Sequence, residues 1–167
     1  MKMINISSVA LIATISLGIA SAEAASTKDF VHNAAIGSEF EIESSKLALE
    51  KSSNSDVKQF AQMMIDDHTK AADKLKDTLK SEGKDTAMAD GVLDDKHQKM
   101  LDKLQSADAD DFDGKYIAAQ TSAHKEAISL FDDYAKNGDD KNVKNFAKKT
   151  LPTLEMHKKH VDELKAS

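Results

Sequence analysis

The sequence predicts an all-α protein, a bundle of four long helices, and three observations predict it. Residues between turn signals are rich in Ala, Lys, Leu, Asp and Glu, with one proline and six glycines in 167 residues and no period-two strand pattern. A seam recurs instead at alternating spacings of four and three, Val57, Ala61, Met64, His68, Ala71, Leu75 and Thr78, apolar or small at every position but His68 and Thr78. Two short turns and one long connection then divide the helical stretches into pairs.

The chain opens on a stretch to be set apart from the fold. Residues 1–24 read as a secretory signal peptide: Lys2 is the positive end, residues 9–20 the apolar core, and Ala22-Glu23-Ala24 a small-x-small cleavage site. That core is about a dozen residues long, where a membrane span needs about 20. A single domain over residues 25–167, without a transmembrane segment and located in the periplasm, is therefore expected.

The first helix is expected over residues 28–51 and ends in the Ser-Ser-Asn-Ser turn at 52–55. Ser55 is the expected N-cap of the second helix, with Asp56 favourable in its first turn and Gly83 as the residue that ends it. Residues 84–110 form the long connection, carrying a short amphipathic helix with Leu93, His97, Met100 and Leu104 on one side. The third long helix runs over 112–136 to Asn137-Gly138. Asp139 or Asp140 caps the fourth, which runs to about Lys165 and contains Pro152, so a kink or bulge is expected near Lys148.

The two hairpins repeat one another. Val57-Lys58-Gln59-Phe60-Ala61 parallels Val143-Lys144-Asn145-Phe146-Ala147, each just after a turn, and His68 and His157 each have an apolar or small residue four and seven positions on. Two such hairpins linked by a long crossover make the ferritin-like arrangement rather than up-down-up-down.

Composition excludes several functions. There is no cysteine, so disulfides, thiolate metal sites and cysteine nucleophiles are out. The formal charge is -6, arginine is absent, and no basic patch interleaves with aromatics, which argues against nucleic acid as a partner. No nucleophile motif, phosphate loop or dinucleotide fingerprint occurs. A protein partner or homo-oligomer stays open.

Each long helix places one polar side chain on its inward stripe: Glu39, His68, His124 and His157. Glu39 lies 13 residues before Ser52, His68 13 after Ser55 and His124 13 before Asn137, each about 20 Å from its turn at 1.5 Å per residue. His157, 17 residues after Asp140, falls about 4 to 5 Å deeper.

Three imidazoles and a carboxylate in a bundle core suit one divalent transition metal (Fe, Mn, Zn or Cu). Ile65 and Leu154 stand where a di-iron centre needs glutamates, so the site reads as mononuclear. The competing reading is a metal-free polar network that fixes bundle register in a non-enzymatic interaction module. An enzyme is a third, requiring an open coordination position and a cavity. Asp66 and Asp67 flank His68 as solvated residues, either of which could support the ring. His32, His97 and His160 read as surface or rim residues, and Met63 and Met64 as packing.

These residues also carry a family resemblance. Gly37-Ser38-Glu39-Phe40-Glu41-Ile42-Glu43 with Lys46-Leu47-Ala48, Val57-Lys58-Gln59-Phe60-Ala61 with Asp66-Asp67-His68, and Leu151-Pro152-Thr153-Leu154-Glu155-Met156-His157 resemble an exported bacterial domain-of-unknown-function family often labelled "putative outer membrane protein". The resemblance spans nearly the whole chain after residue 24. It implies a ferritin-like bundle in the bacterial periplasm and leaves the activity unassigned; a role in envelope stress or metal handling is the accompanying expectation.

Overall fold

The structure, a computed structural model, describes residues 24–165. The expected signal peptide lies outside them except for Ala24.

Among the described residues five α-helices follow one another: α1 (Thr27–Lys51), α2 (Ser55–Ser81), α3 (Asp95–Gln105), α4 (Ala109–Asn137) and α5 (Lys141–Glu163), with a 3-10 turn at Thr86–Ala89. Side-chain caps set most starts. Ser26 accepts from the Asp29 amide, Asp94 from His97, and Asp140 from Asn142 and Val143. The cap of α2 is Asn54, which accepts from Asp56 and Val57, so the expected cap Ser55 is instead the first helical residue. Gly83, at φ +66, ends α2 in the left-handed conformation glycine adopts without penalty, and the amides of Gly83 and Lys84 return to the carbonyls of Lys80 and Leu79.

Contacts at the helix ends fix the topology. Ala25 and the 137–139 turn exchange backbone bonds of 3.0 and 3.1 Å, joining the start of α1 to the end of α4. Lys51 Nζ donates to the Ala107 carbonyl (2.9 Å), joining the end of α1 to the start of α4. Asn54 donates to the Lys165 carbonyl, while Lys84 pairs with Asp140 and Asn142 with Glu82. Thus α1 is antiparallel to α2 and α4, and α5 to α4 and α2. The connection from α2 to α4 must travel the bundle's full length, as in the ferritin-like arrangement.

That crossover lies directly on α1. A Cβ at Gly91 would stand 2.7 Å from the Ala35 carbonyl oxygen and from Glu39 Cβ, so only glycine allows the approach. Pro152 is exposed, as is Lys148, whose carbonyl loses its usual helical donor on the solvent side. α5 is α-helical throughout, with no π-helical segment at the expected bulge.

All six phenylalanines and both tyrosines are buried, in two apolar clusters. One, around Phe30, Leu79, Phe131, Tyr134 and Phe146, fills the end where α1 begins. The other, around Phe40, Phe60, Met64, Phe112 and Tyr116, fills the opposite end. The Val, Phe and Ala of both repeat motifs are buried, in keeping with the pseudo-symmetry. Between the clusters lies a polar layer. Among the described residues no helix is long and apolar enough to cross a membrane.

Candidate metal centre

His68 of α2, His124 of α4 and His157 of α5 meet in that layer, at 5%, 0% and 1% exposure. Their ring centroids are 5.5 to 5.8 Å apart, and one nitrogen from each falls within 4.8 Å of the others. The expected axial offset of His157 is taken up at the start of α5. Asp140 is level with Lys84 rather than with the last turn of α2, and His157 lies about as far into α5 from Asp140 as His68 lies from Lys84.

The carboxylate in the layer is Glu41, not Glu39. Its Oε2 is 3.2 Å from His68 Nδ1 and its Oε1 3.1 Å from His124 Nδ1, with the residue 2% exposed. Glu39 is half-buried under the crossover beside Gly91, and no hydrogen bond or ion pair joins it to an imidazole among the described residues. The reason is helical geometry: two residues are about 200° of turn at 3.6 residues per turn, so the two glutamates leave α1 on opposite sides.

Each ring is held from behind. His124 Nδ1 donates to the Gln120 carbonyl (2.9 Å), which leaves Nε2 with its lone pair. His157 Nε2 donates to Asp67 Oδ2 (3.1 Å), which leaves Nδ1. With Glu41 ionised, His68 Nδ1 donates to it and Nε2 is left. Those three nitrogens, His68 Nε2, His124 Nε2 and His157 Nδ1, are buried without a hydrogen-bond partner among the described residues. Buried ring nitrogens ordinarily have partners, so three orphans converging in one layer call for a ligand.

The electrostatics suit cation binding. Burial holds the His68 imidazole well below its ordinary pKa, with the His124 and His157 rings adding to the effect. Burial likewise lowers His124 to about 4, and lowers His157 against the opposing pull of Asp67. All three are neutral at pH 7, the form that binds metal. Burial pushes Glu41 up to about 8. A cation in the layer would favour its ionised form.

Of the four expected site residues, the three histidines come together and Glu39 does not join them. Asp67 takes the supporting role behind His157, while Asp66 is exposed and accepts from Gln62. His160 packs on Phe60 and His97 on Phe40, and neither enters the layer. The sequence signal for Glu41 is a stripe of small residues on its own face of α1, Gly37, Ser38, Ser44, Ser45 and Ala48, which lets neighbouring helices approach closely.

No curated protein matches the chain. Among solved structures it is similar to "CopM in the Cu(II)-bound form", with a TM-score of 0.69 and 17% sequence identity over 84% of this chain and 95% of that one, a likeness of fold. The sequence profile of the family described as "Domain of unknown function (DUF4142)" matches residues 16–164, and the chain belongs to that family.

Proposed function

We infer that this protein binds one divalent first-row transition metal through His68, His124 and His157, with Glu41 and Asp67 holding the ligand rings. The observation that carries the reading is the meeting of three buried, neutral imidazoles, one nitrogen of each within 4.8 Å of the others, in which one nitrogen of every ring has no partner and the other is held. Three imidazoles leave one position of a tetrahedral site open. An ion about 2.1 Å from every donor keeps donors no more than about 4.2 Å apart, so the widest pair draws together on loading.

Copper(II) is the first ion to test. It binds nitrogen sites most tightly among these divalent metals, and the similar structure of CopM is that of a Cu(II)-bound form. The signal-peptide pattern of residues 1–24 supports a periplasmic location and, with it, a metal-handling role in the cell envelope.

The second reading, a metal-free register device, is favoured by one observation, the Glu41 bridge from α1 to both His68 on α2 and His124 on α4. It leaves the three orphan nitrogens unaccounted for. The deciding experiment is metal analysis of untagged protein from metal-replete cells, beside His68→Ala and His124→Ala. Near-stoichiometric metal in the wild type, absent from both variants with helicity kept, is expected. No metal, and no thermal stabilisation on adding copper, zinc, iron or manganese, would sink the metal reading.

A further inference from the structure

A cavity of about 400 Å³ adjoins the imidazole layer on the side of the Phe131 and Phe146 cluster. Protein interiors pack with few voids larger than a water molecule, so space of this size in a bundle reflects the residues chosen around it. Alanines at 34, 71, 123 and 127 line it where longer apolar side chains would close it. Leu75, Leu130, Phe131, Phe146 and Leu154 continue an apolar stretch of wall, with Thr150 and Thr153 beside it, while Glu39, Lys76, Lys96 and Glu126 bring charged side chains to the rest of the lining. One end is different: His68, His157 and Glu41 face it. The other reaches the surface beneath the crossover at Gly91 and His97.

The cavity therefore combines an apolar stretch with two polar regions, the imidazole donors at one end and charged side chains elsewhere in its lining. We propose that it binds a small monocarboxylate with an apolar tail, the tail in the alanine-lined space and a carboxylate oxygen completing the coordination of the ion held by His68, His124 and His157. This rests on the metal reading above. Three neutral imidazoles bring no charge to a divalent ion and leave a position that an anionic oxygen fills well. The stretch lined by alanines, leucines and phenylalanines can satisfy few polar groups, so the part of the ligand lying along it must be apolar. The volume lies within the usual range of small-molecule sites, about 300 to 1,000 Å³.

The test titrates copper-loaded protein with octanoate, acetate and 1-octanol, reading the copper absorption and paramagnetic resonance spectra together with thermal stability. Metal content is measured first. Octanoate is expected to change the copper spectra and raise the melting temperature, binding at least about tenfold more tightly than acetate because the tail leaves water. Ala34→Leu and Ala127→Leu, which fill the cavity from two helices without altering a ligand, are expected to keep stoichiometric copper and weaken octanoate at least about tenfold.

If octanol stabilises as well as octanoate, or acetate perturbs copper at the same concentration, the proposal fails while the metal reading stands. The same holds if copper is bound and octanoate changes nothing, or if both filled variants bind octanoate like the wild type. Absence of bound metal at the outset overturns both together.

Discussion

Glu41 and His68 face each other across α1 and α2, carboxylate Oε2 to imidazole Nδ1 at 3.2 Å, both nearly sealed from solvent. Burial raises the carboxyl to about 8 and depresses the imidazole, so in the metal-free protein at pH 7 neither group is charged. A cation reverses this for Glu41. Its carboxylate then accepts from the His68 ring and lies 3.1 Å from His124 Nδ1, whose N–H goes to the Gln120 carbonyl, so both rings keep their other nitrogens free to coordinate.

Glu41→Gln keeps the shape of that side chain and removes its ability to ionise. Metal affinity is expected to fall about 10- to 100-fold, the usual cost of losing a group that supports a ligand. The metal-free variant should be as stable as the wild type near pH 4, where the glutamate is mostly neutral in both folded and unfolded chains, and more stable at pH 8.5. Isothermal titration with a competing chelator and chemical denaturation check the two halves. Unchanged affinity would show that Glu41 plays no part in binding.

The pH dependence of metal-free stability follows from the signs. The three imidazoles have folded pKa values below that of an unfolded chain, about 6.5. Their stabilisation is complete above pH 6.5 and is lost as pH falls, for His124 down to about 4. Glu41 acts oppositely: its folded value of about 8 exceeds its unfolded value, so stability is lost as pH rises from about 4.5 to 8, by about 1.4 kcal/mol per unit. Three groups outweigh one below 6.5 and Glu41 acts alone above it. Urea midpoints of metal-free protein should therefore peak near pH 6.5, and a midpoint still climbing at pH 8 would contradict the assignment of Glu41 as a buried acid.

Asp67 stands behind His157 as Glu41 stands behind the other two rings, but at the half-exposed edge of the layer. Asp67→Asn can still accept from His157 Nε2, so the ring keeps its orientation and loses only the charge behind it. Asp67→Ala loses both. A graded loss of metal affinity, Ala beyond Asn and Ala about 10- to 100-fold, is expected in chelator competition. Equal affinities for all three proteins would mean that His157 needs no support.

The helical architecture was legible because its signals are local. Turn residues, seam spacing and the repeated Val-Lys-x-Phe-Ala segment each point to one answer, and caps erred by a single residue at Asn54. The site was legible where a histidine interrupted an apolar seam, as at His68 and His157. Glu39 and Glu41 are hard to tell apart in the sequence because α1 is covered by α2, α4 and the crossover at once, so most of its circumference is buried. With no polar face to set against an apolar one, periodicity cannot tell which glutamate points inward. The repeat adds to the ambiguity: the position 19 residues before Val57, matching His124 before Val143, is Ser38, and the carboxylate reaches the layer from one turn further on.

Pro152 tests how His157 reaches that layer. A proline inside a helix removes a backbone bond and crowds the preceding turn, at about 3 kcal/mol relative to alanine. Counting residues along α5 places His157 about 4 to 5 Å too deep, an offset that a bulge at the proline could absorb in part. In the structure the helix is regular there, and the depth is set instead where α5 begins, by Asp140 against Lys84 and Asn142 against Glu82. Pro152→Ala should then stabilise the protein, by up to about 3 kcal/mol, and leave metal affinity unchanged. Removing the clamp with Asp140→Ala should do the opposite, weakening both the α5 start and metal binding by freeing His157 to shift along the bundle. Thermal melts and chelator competition on the two variants separate the alternatives: loss of metal in Pro152→Ala with the fold intact would mean that the proline, not the start of α5, positions the ligand.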